Sequence, residues 1–180
     1  MNTKLRLYFS DKIQSDLVAH LKKEQSHYLK DVMRLKIGDS FSIFNGQGEW
    51  NASIESYEKE GARIKILHKL RDKENEQNIW LAFTPIKQNP LNFIIQKATE
   101  LGVQKFIPIL SERTMVKDIN IERVKKIIVE SAEQSNRISI PEITNLITLK
   151  NFLSDFPKNG CLVFCDINCN KSDLKNILSK

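Results

Sequence analysis

Apolar and polar residues alternate between residues 38 and 70, in short runs separated by glycine. The alternating apolar pairs are Phe41 and Ile43, Ala52 and Ile54, and Ile64 and Ile66. The segments NGQG (45–48) and KEGA (59–62) lie between the runs, and a period of two with glycine turns is typical of antiparallel strands. RLYF (6–9) is an additional strand candidate. We therefore predict a small β-barrel in the N-terminal half of the chain.

The segment between RLYF and this meander predicts a short helix. Its sequence is SHYLKDVMRLKIGD, in which Ser26 is a residue type that caps helix N-termini and Gly38 marks the end. After the meander, RDKENEQN (71–78) is charged and lacks apolar residues, which is typical of a linker. These features predict two domains, residues 1–72 and residues 73–180.

Beyond the linker, strands alternate with helices. Apolar runs predict strands at 79–84, 105–110 and 161–166, and helical spacing predicts helices up to Gly102, at 121–136, at 148–156 and near the C-terminus. We expect Asn89 to cap the first of these helices, with Pro90 at its first position. The predicted buried stripes of the first two helices are Leu91, Ile94, Ala98 and Leu101, and Ile121, Val124, Ile128 and Ser135. This order of elements predicts an α/β fold with a parallel sheet.

Polar residues follow each predicted strand. Ser111-Glu112-Arg113-Thr114 follows the second strand, Lys87 follows the first, and Asp166 ends the third. In open α/β sheets ligands bind at the carboxyl ends of the strands, so we expect these side chains at the functional edge. Neither G-x-G-x-x-G nor a P-loop motif occurs, which argues against dinucleotide dehydrogenases and P-loop enzymes.

Charge and cysteine content narrow the class of protein. The formal net charge of +6 indicates a polyanionic partner such as RNA or DNA, although a lysine-rich surface that only keeps the protein soluble is an equal alternative.

No apolar run has the length of a membrane helix and the N-terminus does not resemble a signal peptide, so we expect a cytoplasmic protein without a membrane partner. Cys161, Cys165 and Cys169 have no zinc-site spacing, and we interpret the first two as one face of a buried strand without a metal.

Longer motifs in the chain resemble a known family. RLYF, HYLKDVMRLKIGD, FNGQGEW, IIQKATELGVQKFIPILSERT and ESAEQSNRISIPEI are similar, in this order, to the RsmE family of bacterial 16S ribosomal RNA uridine N3-methyltransferases. The resemblance implies a PUA-like barrel at 1–72 and a SPOUT-type methyltransferase domain, an α/β knot, at 73–180. It also implies S-adenosylmethionine as cofactor, 16S ribosomal RNA or the small ribosomal subunit as partner, and a homodimer.

The chain departs from the family in one respect. The family's GPEGG turn and its later LG-x-R-I-L-R-x-E-T-A stretch do not occur in these 180 residues. The resemblance therefore implies a methyltransferase domain that lacks its C-terminal knot segment and most of the cofactor pocket. A non-catalytic RNA-binding remnant of such an enzyme is the alternative.

Candidate site residues combine position with this resemblance. Arg137, in the family's EQ-x-x-R pattern, is expected to hold phosphate or the charge that develops on uracil, although a surface ion pair with Glu133 is the alternative. Glu112 or Glu133 is the candidate base for the N3 proton. The expected RNA contacts are Arg6, His27, Arg34, Lys87, Lys97 and Arg113. Asp166 is the one candidate cofactor contact.

Overall fold

The N-terminal half of the chain forms a five-stranded sheet. In the computed structural model residues 5–165 are described. The N-terminal elements are β1 (Arg6–Tyr8), β2 (Val18–His20), α1 (Lys23–His27), a π-helical turn (Tyr28–Val32), β3 (Ser40–Phe44), β4 (Gly48–Tyr57) and β5 (Ala62–Asp72). The strand order is β1-β3-β4-β5-β2, with β1 parallel to β3 and the other pairs antiparallel. The predicted meander of β3, β4 and β5 is confirmed.

The alternating residues of the meander form the core of this half. Ala52 pairs with Ile66 and Ile54 with Ile64, so their side chains lie on one face of the sheet. All four are buried against Phe41. The apolar residues that recur with a period of two are therefore those on the buried face of the sheet.

The described strands do not form a closed ring. β1 and β2 are the two edges of the sheet, in place of the closure that a barrel needs. The outer edge of β1 is occupied by side chains instead: Glu133 accepts a hydrogen bond from the Tyr8 backbone N–H at 2.8 Å, and Gln25 donates to the Tyr8 carbonyl at 2.7 Å. These two side chains take the hydrogen-bonding positions of a neighbouring strand, and the predicted small barrel takes the form of a five-stranded sheet whose edge strands β1 and β2 do not pair with each other.

Ser26 has a different role from the predicted helix cap. It lies inside α1 and is buried, and its Oγ accepts a hydrogen bond from the Ala62 N–H at 2.7 Å while donating to the Lys22 carbonyl at 2.9 Å. The prediction was wrong because α1 begins three residues earlier, at Lys23. Ser26 therefore ties the helix to the first residue of β5.

The C-terminal half is a parallel sheet with helices, as predicted. Its elements are β6 (Trp80–Phe83), α2 (Gln88–Glu100), β7 (Lys105–Leu110), α3 (Ile121–Gln134), β8 (Glu142–Ile143), β9 (Ile147–Thr148) and α4 (Leu149–Ser154). β7 is central and pairs in parallel with β6, β8 and β9. The order of strands and helices along the chain therefore gave the correct fold class.

The buried faces of α2 and α3 differ in detail from the predicted stripes. They consist of Leu91, Ile95, Ala98 and Thr99, and of Val124, Ile128, Ser131 and Ala132. Leu101 is 82% exposed, because α2 ends at Glu100 and Gly102 (φ +96°) turns the chain away. The predicted start of α2, with Asn89 as the cap and Pro90 at the first position, was also wrong. The helix begins at Gln88, so Pro90 occupies its third position, where a missing N–H still costs no intrahelical bond.

The predicted strand at 161–166 is absent from its described part. Residues 161–165 have no regular structure, and Cys161, Cys165 and Phe164 are exposed, Phe164 at 82%. A strand needs a hydrogen-bonded neighbour, and this segment pairs with none of the described strands. The prediction of buried cysteines on a strand face was therefore wrong for these two. Asp166 and Cys169 lie outside the described residues.

Neither a membrane span nor a metal cluster is found between residues 5 and 165. No described helix is long and apolar enough to cross a bilayer. Within the same range, histidine, cysteine, aspartate and glutamate side chains do not gather in a group that could hold a metal ion.

Candidate functional site

Arg6 connects β1 to the end of α3. Its side chain is 8% exposed, and its Nε donates to Glu49 at 2.9 Å. Its Nη1 donates to the carbonyls of Ala132 and Glu133, both at 3.1 Å, and its Nη2 to the carbonyl of Arg137 at 2.8 Å. The last carbonyls of a helix lack intrahelical donors, and Arg6 supplies them. The resemblance implied an RNA contact at Arg6, and in the structure its guanidinium group is bound to these groups of the protein.

Glu49 is the buried centre of this arrangement. It is 5% exposed and also accepts from Arg71, whose Nη2 lies 2.7 Å from Oε2. Burial acts to raise the pKa of Glu49, but the hydrogen bonds and charges of Arg6 and Arg71 outweigh it and lower the pKa. Arg71 in turn donates to the Asn136 carbonyl at 2.9 Å. We call Arg6, Glu49, Arg71 and the carbonyls that they bind the α3 joint.

Arg137 extends the network towards the linker. It is 7% exposed, and its Nη1 donates to the carbonyls of Thr99 and Val103, each at 2.8 Å. Its Nη2 donates to Glu76 at 2.5 Å and to Ser139 at 2.7 Å. The guanidinium thus caps the end of α2 and binds the residue that sequence reasoning had treated as linker. It lies at the amino end of β7, because Val103 precedes that strand.

Glu133, near the end of α3, also contacts β1, but its pKa is shifted in the opposite direction to that of Glu49. Its carboxylate accepts from the Tyr8 N–H at 2.8 Å. Burial raises the pKa of Glu133 and the nearby charge of Glu130 adds to this, while the bond from Tyr8 and the charge of Arg6 oppose it. The charged form is therefore disfavoured at this position.

Glu112 and Arg113 lie at the predicted edge of the sheet. They occupy a turn in which the Ser111 N–H donates to Thr114 Oγ1 at 2.8 Å and the Thr114 N–H donates to the Ser111 carbonyl at 3.1 Å. The turn leaves both charged side chains exposed. Lys87 is exposed at the same edge, because it follows β6, which runs parallel to β7.

The three predicted catalytic residues are therefore divided between two places. Arg137 and Glu133 lie near the amino end of β7, whereas Glu112 follows its carboxyl end. A strand of six residues separates them, a length of about 17–20 Å. No single small substrate group spans that distance, so the structure does not bring the predicted set together.

The remaining predicted RNA contacts are spread over the surface. His27 is exposed and pairs with Asp31 at 2.6 Å. Arg34 is exposed two residues after the π-helical turn, at φ 56°. Lys97 pairs with Glu100 at 2.7 Å on α2. These side chains are accessible to a partner but do not converge on one point.

Sequence reasoning missed a cleft at the junction of the two halves. This junction cleft has a volume of about 890 Å³ and lies between the α1 region, including Gln25 and Tyr28, and the helices α2 and α3. A smaller cleft of about 220 Å³ lies beside Glu76. No spacing along the chain indicates either cleft, because each forms only when distant segments meet.

The described residues do not fit an enclosed site for S-adenosylmethionine at the carboxyl edge. Glu112, Arg113 and Met115 follow β7 as exposed side chains, Met115 at 91%. Both clefts are lined by residues of other segments.

Comparison with known proteins decides the family. Residues 73–180 match the family model described as RNA methyltransferase domain, and residues 21–67 match the one described as RNA methyltransferase PUA domain. The ribosomal RNA small subunit methyltransferase E of Rickettsia conorii is 33% identical over 150 residues, covering 82% of this chain. The chain belongs to the RsmE family. The resemblance noted in the sequence is thus confirmed.

Other RsmE proteins agree in sequence and structure. The Synechocystis enzyme is 34% identical over 137 residues, which are 72% of this chain. The crystal structure of the Neisseria gonorrhoeae enzyme, bound to S-adenosylmethionine, matches with a TM-score of 0.77 at 26% identity and covers 86% of this chain and 66% of that one. This chain spans 62% of the Rickettsia relative and 43% of the Synechocystis relative.

Proposed function

We propose that this chain acts in the S-adenosylmethionine-dependent methylation of uridine N3 in 16S ribosomal RNA of the small ribosomal subunit. The observation that carries the proposal is the RNA methyltransferase match over residues 73–180, preceded by the PUA match. The S-adenosylmethionine bound to the Neisseria relative supports the choice of methyl donor. We also propose residues 1–72 and 73–180 as the two domains.

Methylation of uridine N3 requires a base, and the residues at the carboxyl end of β7 could provide it. Uridine N3 carries a proton that must leave before the nitrogen attacks a methyl group, and negative charge then spreads over the ring. We propose that Glu112 accepts this proton and that Arg113 stabilises the charge or a neighbouring phosphate. Their exposure at the carboxyl end of β7, the edge where α/β sheets bind ligands, supports this assignment.

The proposed RNA surface consists of those predicted RNA contacts whose side chains are accessible in the structure. These are His27, Arg34, Lys87, Lys97 and Arg113. Arg6 and Arg137 are left out because their guanidinium groups are buried and bonded within the α3 joint or beside it. The net charge of +6 favours phosphate binding. A homodimer and a cytoplasmic location complete the proposal, on the resemblance to the family.

An RNA-binding protein without catalysis is the second candidate. It is favoured by the exposure of the side chains that follow β7, which do not form an enclosed pocket among the described residues. In that case the chain binds ribosomal RNA and transfers no methyl group by itself.

Two measurements on the 180-residue chain separate the candidates. Calorimetric titration with S-adenosylmethionine tests donor binding, and incubation with unmethylated small subunits and methyl-labelled donor, followed by nucleoside mass spectrometry, tests for N3-methyluridine. Methylation that falls about 10²–10⁴-fold in Glu112→Gln, with unchanged donor affinity, supports the proposed base. Absent methylation by a folded chain that binds 16S RNA selects the second candidate, and absent RNA binding rejects both.

A further inference from the structure

The junction cleft has the dimensions of a small-ligand site. Its volume of about 890 Å³ lies within the range of roughly 300–1,000 Å³ that is usual for such sites, and domain junctions are a common place for them. The α3 joint fixes the two walls relative to each other, because Arg6 binds both Glu49 in β4 and the carbonyls that end α3. The cleft is therefore a formed feature of the fold.

One wall of the cleft presents an aromatic ring to solvent. Phe93 on α2 lines the cleft and is 61% exposed, whereas the buried face of the helix is formed by other residues. Tyr28, from the opposite half of the chain, lines the same cleft. Core packing does not account for Phe93, and an accessible aromatic face is what unstacked nucleobases bind.

The polar lining has unused hydrogen-bonding capacity. Asn89, Glu130 and Gln134 line the cleft, and their side chains have no hydrogen-bond or ion-pair partner among residues 5–165. Carboxylate and amide oxygens accept hydrogen bonds from ring and exocyclic N–H groups. The edge of a base offers such donors, and a phosphate group offers none.

The charges of the cleft exclude phosphate from its interior. The charged residues that line it are Glu24, Glu130 and Glu133, with Arg123 as the one lining cation. In the amide orientation that satisfies both groups, Gln88 and Asn92 accept from Arg123 at 2.8 and 3.0 Å, which leaves guanidinium N–H groups free for an anion. The Nζ of Lys97 lies 5.9 Å from the centre of the Phe93 ring. A base on Phe93 would thus have cations beside it for its phosphates.

We propose that the junction cleft binds one unstacked nucleobase of single-stranded RNA, with its ring on Phe93 and its N–H edge towards Glu130, and its flanking phosphates at Lys97 and Arg123. This inference rests on the RNA-binding part of the proposed function. It adds a contact site remote from the residues that follow β7.

The test compares a short single-stranded RNA with an abasic strand of equal length, each labelled for fluorescence anisotropy. Phe93→Ala is expected to weaken binding of the normal strand about 5- to 150-fold, the range for loss of one base–aromatic stack, and to leave the abasic strand unaffected. Leu101→Ala is the matched control, because Leu101 is 82% exposed beyond the end of the same helix and does not line the cleft. Both substitutions are at exposed positions, so both variants should fold.

Salt dependence provides a second readout. Stacking involves no counterion release, so the ratio of wild-type to Phe93→Ala affinity should be equal at low and high salt, whereas Lys97→Ala should reduce the salt slope. The proposal is overturned if Phe93→Ala binds RNA like wild type, or if the abasic strand loses affinity equally. Those results leave the proposed function intact. RNA that does not bind the wild-type chain overturns both.

Discussion

Replacement of Arg6 by alanine tests whether this arginine holds the fold or contacts RNA. The substitution removes the partner of a buried carboxylate and the donors of three carbonyl groups at the end of α3. Breaking a buried ion pair from one side costs about 3–5 kcal/mol. Arg71 still binds Glu49 and reduces that cost, and the Ala132 carbonyl keeps the Arg137 N–H as a donor at 3.2 Å, while loss of the Arg6 donor to the carbonyls of Glu133 and Arg137 increases it. We therefore expect the free energy of unfolding to fall by about 3–5 kcal/mol.

Urea unfolding followed by circular dichroism and by fluorescence measures this change. The fluorescence comes from Trp50, which is 6% exposed in the N-terminal sheet, and from Trp80 in β6, which is 38% exposed, so it reports on both halves. Arg63→Ala is the control: Arg63 forms an ion pair with Glu55 at 3.0 Å in which the side chains are 46% and 33% exposed, and such pairs contribute roughly 0–1 kcal/mol. If Arg6→Ala is as stable as Arg63→Ala and instead loses affinity for RNA, the structural interpretation of Arg6 is refuted. If Arg6→Ala does not fold, Arg6→Lys should fold with intermediate stability.

Three further predictions concern single residues. Glu133→Gln should be more stable than wild type at neutral pH by up to about 1 kcal/mol, because burial raises the pKa of Glu133 and so disfavours its charge. This difference should shrink as pH falls through the raised folded pKa and be absent below about pH 4.3, where the carboxyl group is protonated in both states; thermal unfolding across this range checks the sign. Arg137→Lys should lower the free energy of unfolding by about 2–4 kcal/mol, since one ammonium cannot serve two carbonyls and Glu76; equal stability in urea would contradict this. Arg34→Ala should weaken binding to all RNA sequences alike and reduce the salt slope by about one, which anisotropy titrations at several salt concentrations measure.

The pH dependence of Glu49 has the opposite sign to that of Glu133. The folded pKa of Glu49 is lowered, so its stabilising contribution is present above the unfolded pKa of about 4.3 and is lost as pH falls through the folded pKa. Acid therefore weakens the α3 joint at Glu49, whereas it relieves the cost of the charge on Glu133.

The sequence predicted those features that depend on local pattern. The alternation in β3, β4 and β5 and the order of strands and helices after the linker were both read correctly. The position of Glu112 at a strand end also follows from local order alone. In each case the signal is a period or a neighbour in the chain, which the folded structure preserves.

The features that sequence reasoning missed depend on contacts between distant segments. Arg6 and Arg137 were predicted as functional residues from the family resemblance, but their burial could not be predicted, because each meets carbonyls near a helix end that lies far away in sequence. Glu76 belongs to a segment whose charge indicated a linker, and it became the partner of Arg137. The exposed segment 161–165 shows the reverse case, in which an apolar pattern has no neighbour among the described strands.

The separation in sequence between the partners of the α3 joint has a consequence for the folding kinetics. The contact from Arg6 to the Arg137 carbonyl spans 131 residues, so it closes a very long loop and can form only after β1 and α3 are in place. Interactions that form after the transition state slow unfolding and leave the folding rate nearly unchanged. The two halves should therefore fold first and dock later. The α3 joint would then determine the rate at which the docked halves separate during unfolding.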